Sequence, residues 1–459
     1  MIFIKFKRLM LLLLAFTAFQ LAGFGAAPKP LNIGLARVSI TPETPVRLTG
    51  YSSRDIPFEG VQHELWAKAM AFGDEKKGHH IIISLDILGI PHRVTERVRD
   101  ALAKEIGISP ANLSICASHT HSGPQIGNIV SHFHKPLDPD ELADISLYAM
   151  GLVPKLKGVA LDAIENATPS LVSHAKGEVS FAVNRRTSIN PNGVSDHSLP
   201  VMRITDLNGK IKAVMLNYAC HAVTLGPKNN VVHGDWVGEA QLQVEENLPE
   251  GAMAKVVIGC GADQNSSPRM NNKNPEMDLV YAKDQGKQIA DEVNRMLADE
   301  TWKNIRQLPE SKMKYVELTF ANMPDPKKLA EDAKGAGRTS NYSLLLLGRM
   351  ARSGDIPEKI NYPIQVWDFG KDLVMIFLAG EVVVDYAIRL KQELGEDRVW
   401  VNAYANDMPC YIPSLRVLKE GGYEAESAMI GYEKPSKFTE DVEDIIMNGI
   451  YSILPKSSK

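Results

Sequence analysis

The chain has 459 residues, with 51 Lys plus Arg against 55 Asp plus Glu and a formal net charge of −4. Nucleic-acid-binding proteins usually carry a basic excess, so this near-balance argues against a nucleic-acid partner. Hydrophobic residues at 44% and charged residues at 23% exclude disorder and collagen-like repeats, and four cysteines are too few to staple a miniprotein.

Lys5, Lys7 and Arg8 precede an apolar stretch, Leu9 to Phe19, broken only by Thr17; small residues follow at Ala22, Gly23, Gly25, Ala26 and Ala27. Spanning a bilayer takes about 20 apolar residues, and this stretch is shorter. It predicts a cleaved export signal over residues 1–27, cut near Ala26 or Ala27, and a secreted or periplasmic mature domain over 28–459. An uncleaved N-terminal anchor is the alternative.

Ile81 to Leu85 reads as a buried strand, and Val94, Val98, Leu102 and Ile106 recur at four-residue spacing before Gly107, a helix with its C-cap. Leu156, Ala160 and Ile164 mark a second helix. Ala213 to Tyr218 and Lys255 to Ile258 are strands, with a helix on Ile289, Val293 and Met296 after them. Residues 325–360 look like a surface insertion with short helices. Val374 to Leu378 is a strand leading to a helix with Tyr386, Leu390 and Leu394 on one face, and Phe438 to Leu454 closes the chain as a helix. Strands alternating with helices predict an α/β fold, and no Pro- or Gly-rich linker divides it.

Ser118-His119-Thr120-His121-Ser122-Gly123-Pro124 follows the apolar run Leu113 to Ala117. In extended chain, residues i and i+2 point the same way, so His119 and His121 can face one cavity as a metal ligand beside a general base. His221 ends the strand-like Ala213 to Cys220, and Glu381 follows Val374 to Leu378 by way of Ala379-Gly380. Each has a plain structural reading: a core histidine on backbone, or a carboxylate favoured at a helix start. Tyr411 and Tyr423 lie in Pro- and Gly-bearing loops, where packing is the ordinary role. Asn184-Arg185-Arg186 follows Phe181 to Val183, and an arginine there can hold a carboxylate or a developing oxyanion, or be a solvated surface pair. The Gly259 to Asn265 turn, with Asp263 and Asn265, can bring amides toward a ligand, or be only a tight turn. His233-Gly234-Asp235-Trp236 supplies a carboxylate, Asp235, that can orient a ligand.

In this order the motifs resemble the neutral/alkaline (non-lysosomal) ceramidase family, specifically its N-terminal catalytic domain, from about Leu31 to about Tyr432. The run His119-Thr120-His121-Ser122-Gly123-Pro124 is its most specific part. The resemblance implies a single large α/β domain, a mixed central β-sheet flanked by helices; the C-terminal immunoglobulin-like domain of full-length ceramidases is not expected in this chain. It implies one zinc per chain held by His119, His221, Glu381 and Tyr411, with His121 as general base and Arg185 and Tyr423 binding substrate and steadying the oxyanion. Asp235, Asp263 and Asn265 are expected around that centre, touching ligands or substrate. It also implies a lipid N-acyl substrate, ceramide first, and peripheral contact with membrane lipid; nothing fixes the oligomeric state.

The chain departs from the family at the Gly-Asp-x-Ser-Pro-Asn turn. Here it reads Gly261-Ala262-Asp263-Gln264-Asn265-Ser266-Ser267-Pro268, which leaves Ser266 and Ser267 without a catalytic role. Cys116, Cys220, Cys260 and Cys410 each sit near a motif; buried free thiols, a disulfide, or Cys220 as a zinc ligand are the readings. The reading is an exported zinc amidohydrolase. Its alternatives are a metal-free serine hydrolase, against which the missing G-x-S-x-G elbow counts, and a non-catalytic binding protein with the same fold.

Overall fold

The computed structural model describes residues 29–455 apart from 75, 77, 128, 131–136, 272 and 299–300, so the predicted export signal lies outside the described residues. Nine strands make the larger sheet: β1 Leu31–Ser39, β2 Trp66–Asp74, β3 Gly78–Leu85, β4 Leu113–Ala117, β5 Thr168–Glu178, β6 Ser198–Thr205, β7 Ile211–Tyr218, β8 Met253–Ile258 and β9 Lys303–Ile305. Their spatial order is β8-β7-β6-β5-β1-β2-β3-β4, with β9 added against β5. The middle is antiparallel, and each end is a parallel pair, β7 with β8 and β3 with β4. Every residue of β4 and β8 is buried, as the continuous apolar runs of parallel strands require. The sheet curls until β8 lies beside β3 and β4, although among the described residues no ladder closes it. Lys255 of β8 is fully buried there and donates from Nζ to the carbonyls of Lys68 and Ile82 at 3.0 and 2.7 Å.

The second sheet holds β10 Glu310–Thr319, β11 Lys359–Asp368, β12 Val374–Leu378 and β13 Val399–Asn402 in that order, with β12 and β13 parallel. β10 is an edge strand, and its sequence ESKMKYVELT keeps charge on the outward face, which protects an unpaired edge.

Helix α1, His92–Ile106, buries Val94, Val98 and Leu102 and stops at Gly107 in the left-handed region (φ 66°), as the spacing predicts. Helix α2, Pro139–Glu165, is far longer than its apolar spacing suggested. A capping box of Asp138 and Glu141 starts it, and it runs through Pro154. It lies on β1, where a Cβ added to Gly34 would stand 1.7 Å from the carbonyl oxygen of Ala163. Helices α3, Asp235–Glu246, and α4, Glu276–Ala298, pack on each other. Helices α5, Pro326–Asp332, and α6, Arg338–Ser353, carry a small core of their own, Leu329, Tyr342, Leu346 and Ile356, on the segment expected as an insertion. Helices α7, Val384–Leu394, α8, Leu415–Glu420, and α9, Val442–Ile453, complete the set. Among the described residues no helix is long and apolar enough to cross a membrane.

Candidate metal centre

The carboxyl ends of parallel strands from both sheets meet at one place, the usual position of a site in an α/β protein. β4 leads to His119, β7 to His221, β12 to Glu381 and β13 to Tyr404. Backbone bonds lock these ends together: Ala117 N–H donates to Tyr404 O at 3.0 Å, Ala403 N–H to Ile258 O at 3.0 Å and Tyr404 N–H to Gly380 O at 3.1 Å. Glu381-Val382 and Tyr411-Ile412 form a two-residue parallel ladder that sets Glu381 directly beside Tyr411. His119 and Tyr404 both hold left-handed backbone (φ 58° and 53°), and their rings stack 4.4 Å apart. Non-glycine residues tolerate that conformation only where the surroundings impose it, and such strain concentrates at functional sites.

The histidine tautomers follow from their partners. Nδ1–H of His119 donates to Leu88 O at 2.7 Å, and Nδ1–H of His221 to Gly261 O at 2.6 Å. A carbonyl only accepts, so the proton sits on Nδ1 and each Nε2 presents a lone pair. Both lone pairs face Oε2 of Glu381, at 3.3 and 2.9 Å, and that buried oxygen makes no hydrogen bond. Tyr411 Oη lies 3.4 Å from His221 Nε2. Three electron-rich atoms turned on one another, buried and without a proton between them, call for a cation. Two imidazoles, a carboxylate and a phenol oxygen suit zinc. Burial, helped by Arg185, pushes His221 down to about 4, which keeps it neutral as a ligand must be.

His121 Nε2 sits 3.2 Å from His119 Nε2, and the nitrogens of His119, His121 and His221 all lie within 4.8 Å of one another. Burial first, then the other two imidazoles, hold His121 well below an ordinary histidine. Its ring is fixed by Tyr51, 4.9 Å away and tilted, and by Gly50, whose φ of 98° leaves the Cα flush against the imidazole. A Cβ there would stand 2.4 Å from His121 Nδ1. Buried Arg54, lying over the Tyr51 ring, donates to the backbone carbonyl of His121.

Arg185 donates from Nη2 to Tyr411 Oη at 3.0 Å and from Nε to Glu424 at 2.6 Å, while Arg186 takes the other oxygen of Glu424. Tyr423 is 48% exposed, its ring 5.3 Å from that of Tyr411 and beneath the Arg185 guanidinium. Seven expected residues therefore share one cluster: His119, His121, His221, Glu381, Tyr411, Arg185 and Tyr423. The other three brace it. Asp263 accepts from Asn184 Nδ2 at 3.1 Å and Val384 N at 2.9 Å, tying the arginine loop to the segment after Glu381. Asp235 accepts from the backbone of Thr224, Leu225 and Trp236, and Trp236 Nε1 donates to His221 O at 3.0 Å. Asn265 bridges His221 through backbone and keeps a buried Oδ1 without a partner.

The four cysteines are free and buried, and the histidine trio includes none of them, so a disulfide and a Cys220 ligand both drop out. Ser266 Oγ is engaged with Thr224 Oγ1 at 2.8 Å. Two residues went unnoticed in the sequence reading. Tyr404 stacks on His119, and Tyr432 donates its hydroxyl to Oε1 of Glu381. A single tyrosine in a loop carries no periodicity, so no local signal could have found either.

A family model for the neutral/alkaline non-lysosomal ceramidase N-terminal domain matches residues 31–289, more than half of the 459. The chain belongs to the neutral/alkaline non-lysosomal ceramidase family. Neutral ceramidase of Pseudomonas aeruginosa is 25% identical over 265 residues, 53% of this chain and 38% of that protein. Neutral ceramidase of Drosophila melanogaster is 25% identical over 267 residues, 52% of this chain and 36% of that one. The matches thus span well under half of these relatives' length. The crystal structure of the Pseudomonas neutral ceramidase superposes with a TM-score of 0.70 at 16% identity, over 94% of this chain and 76% of that one. A ceramidase structure complexed with C2 gives 0.68 at 17%, over 94% and 78%. The ceramidase-like α/β fold is shared, including the region beyond residue 289 that carries Glu381, Tyr411 and Tyr423.

Proposed function

We propose that this protein is an exported, zinc-dependent amidohydrolase that cleaves the N-acyl amide of ceramide or a related lipid. The observation that carries the reading is the convergence of His119 Nε2, His221 Nε2 and Glu381 Oε2, all buried and none with a proton to share. His119, His221, Glu381 and Tyr411 would hold the ion. Zinc in such a set supplies Lewis acidity: it brings water toward a pKa of about 7 and polarises a carbonyl.

The chain's own residues do the rest. His121, neutral and held by Tyr51 and Gly50, accepts a proton from the attacking water and returns it to the departing amine nitrogen. Arg185 and Tyr423 are the donors available to the charge that develops on the carbonyl oxygen. Glu424 holds Arg185 and Arg186 at once, which fixes the guanidinium against Tyr411. Products are a fatty acid and an amine. Family membership supports amide hydrolysis, and the relatives' names supply ceramide as the first substrate to try. The N-terminal segment supports export, and a lipid substrate would bring the protein into peripheral contact with membrane lipid.

The test is incubation of the purified protein with N-acyl sphingoid and other N-acyl amine lipids, with and without a chelator, reading released fatty acid. We expect turnover with about one zinc per chain, abolished in His119→Ala and by chelation. Full activity in metal-free protein, stopped instead by a serine-directed covalent inhibitor, would sink the reading. N-terminal sequencing of the exported protein should begin near Ala27 or Pro28.

A further inference from the structure

Glu381 is the only carboxylate in the proposed ligand set, and its two oxygens have different surroundings. Oε2 faces both imidazoles and has no hydrogen bond; Oε1 receives the hydroxyl of Tyr432. Tyr432 comes from the loop just after the short 3-10 turn Ser427–Ile430, in a different part of the chain from β12. It is buried, and its ring stands 5.9 Å from that of Tyr411. The hydroxyl therefore has one described partner, and that partner is the atom that decides how the carboxylate is presented. A carboxylate free to rotate can offer one oxygen or both to a cation; a donor fixed on one oxygen removes that choice.

We propose that Tyr432 is a positioning residue of the metal centre, holding Glu381 so that Oε2 alone is offered to the ion. This rests on the zinc reading above. Tyr423, which the family resemblance places at substrate, is half exposed and meets Tyr411 edge to face, so Tyr423 and Tyr432 divide the work. Tyr423 is the one open to solvent and so to a substrate, and Tyr432 acts on the ion through Glu381.

The experiment is competition of wild-type and Tyr432→Phe protein for zinc against a chromophoric chelator, with a cobalt-substituted sample of each read by visible absorption. The phenyl ring keeps the packing and removes only the donor. Tyr386→Phe serves as a control, since Tyr386 is also buried and its hydroxyl donates to the backbone carbonyl of Pro413 at 3.1 Å and to no side chain of the cluster. We expect the zinc dissociation constant to rise about 10- to 100-fold in Tyr432→Phe, and the cobalt bands to weaken and shift as the carboxylate gains a second contact. Tyr386→Phe should keep wild-type affinity. An unchanged affinity and spectrum in Tyr432→Phe overturns the proposal, as does an equal loss in both variants, which would mark a general loosening. Wild-type protein that binds no zinc defeats the metal reading itself, so the two failures are distinguishable.

Discussion

Gly50 shows how much of this centre depends on single atoms. Its left-handed backbone and missing side chain let His121 lie against the chain, with no room for a methyl group. Gly50→Ala should force the imidazole away from His119, and we expect hydrolysis to fall by about 100-fold or more, since small misplacements of a reacting group cost that much. Zinc content should hold, because the atoms an added Cβ meets first all belong to His121 and not to the four proposed ligands. An alanine variant with wild-type turnover would show that His121 has no such role. At this scale the sequence was legible where a motif is local: His119 and His121 are two residues apart and face one place, although a left-handed His119 and not the expected extended chain brings them together. His221, Glu381 and Tyr411 were placed by resemblance to a family, because nothing in their own neighbourhoods distinguishes a ligand from a core residue. Tyr432 was invisible, since its significance lies wholly in Oε1 of a residue 51 positions earlier.

The elements divide in a similar way. Apolar runs read directly as strands: Val374–Leu378 and the buried parts of β3, β7 and β8 were all anticipated, because strands buried on both faces need continuous hydrophobicity. The two-residue ladder of Glu381-Val382 with Tyr411-Ile412 is too short to leave a pattern, although it aligns two of the proposed ligands. Helix α2 was seen only in its last turns. Its start is written in the Asp138–Glu141 capping box, and the helix runs on through Pro154, a residue that ordinarily breaks a helix interior. Gly34 is where this helix meets β1. An alanine there would drive a methyl group into the Ala163 carbonyl, a backbone atom that cannot swing aside. We expect Gly34→Ala to cost about 3 kcal/mol or more of stability, the upper end for overpacking, measured by the urea midpoint. A loss below about 1 kcal/mol would mean that the helix can shift freely on the sheet.

For the whole molecule, the two ends of the large sheet are joined at Lys255. Burial, with a smaller push from Lys68, lowers this amine to about 7, and as a neutral amine it still makes both of its hydrogen bonds. The unfolded chain holds its lysine proton up to about pH 10.4. Between about 7 and 10 the unfolded state therefore binds more protons than the native state, and stability rises with pH through that window; below about 7 both states are charged and the contribution is flat. Lys255→Met removes the group. The unfolding free energy of wild type relative to Lys255→Met should climb by on the order of 1.4 kcal/mol per pH unit between about 7 and 10. A difference independent of pH would show that the lysine stays charged in the fold.

His119 and His221 hang from opposite ends of one sheet, and Glu381 hangs from the other sheet. An ion gripped by all three would rivet the two sheets as well as serve a reaction. With free zinc a thousandfold above its dissociation constant, that rivet is worth about 4 kcal/mol against unfolding, and stripping it with a chelator should lower the melting temperature by several degrees. Scarcity of zinc would then disarm the protein twice over, taking its reagent and opening its backbone to proteases at the same stroke.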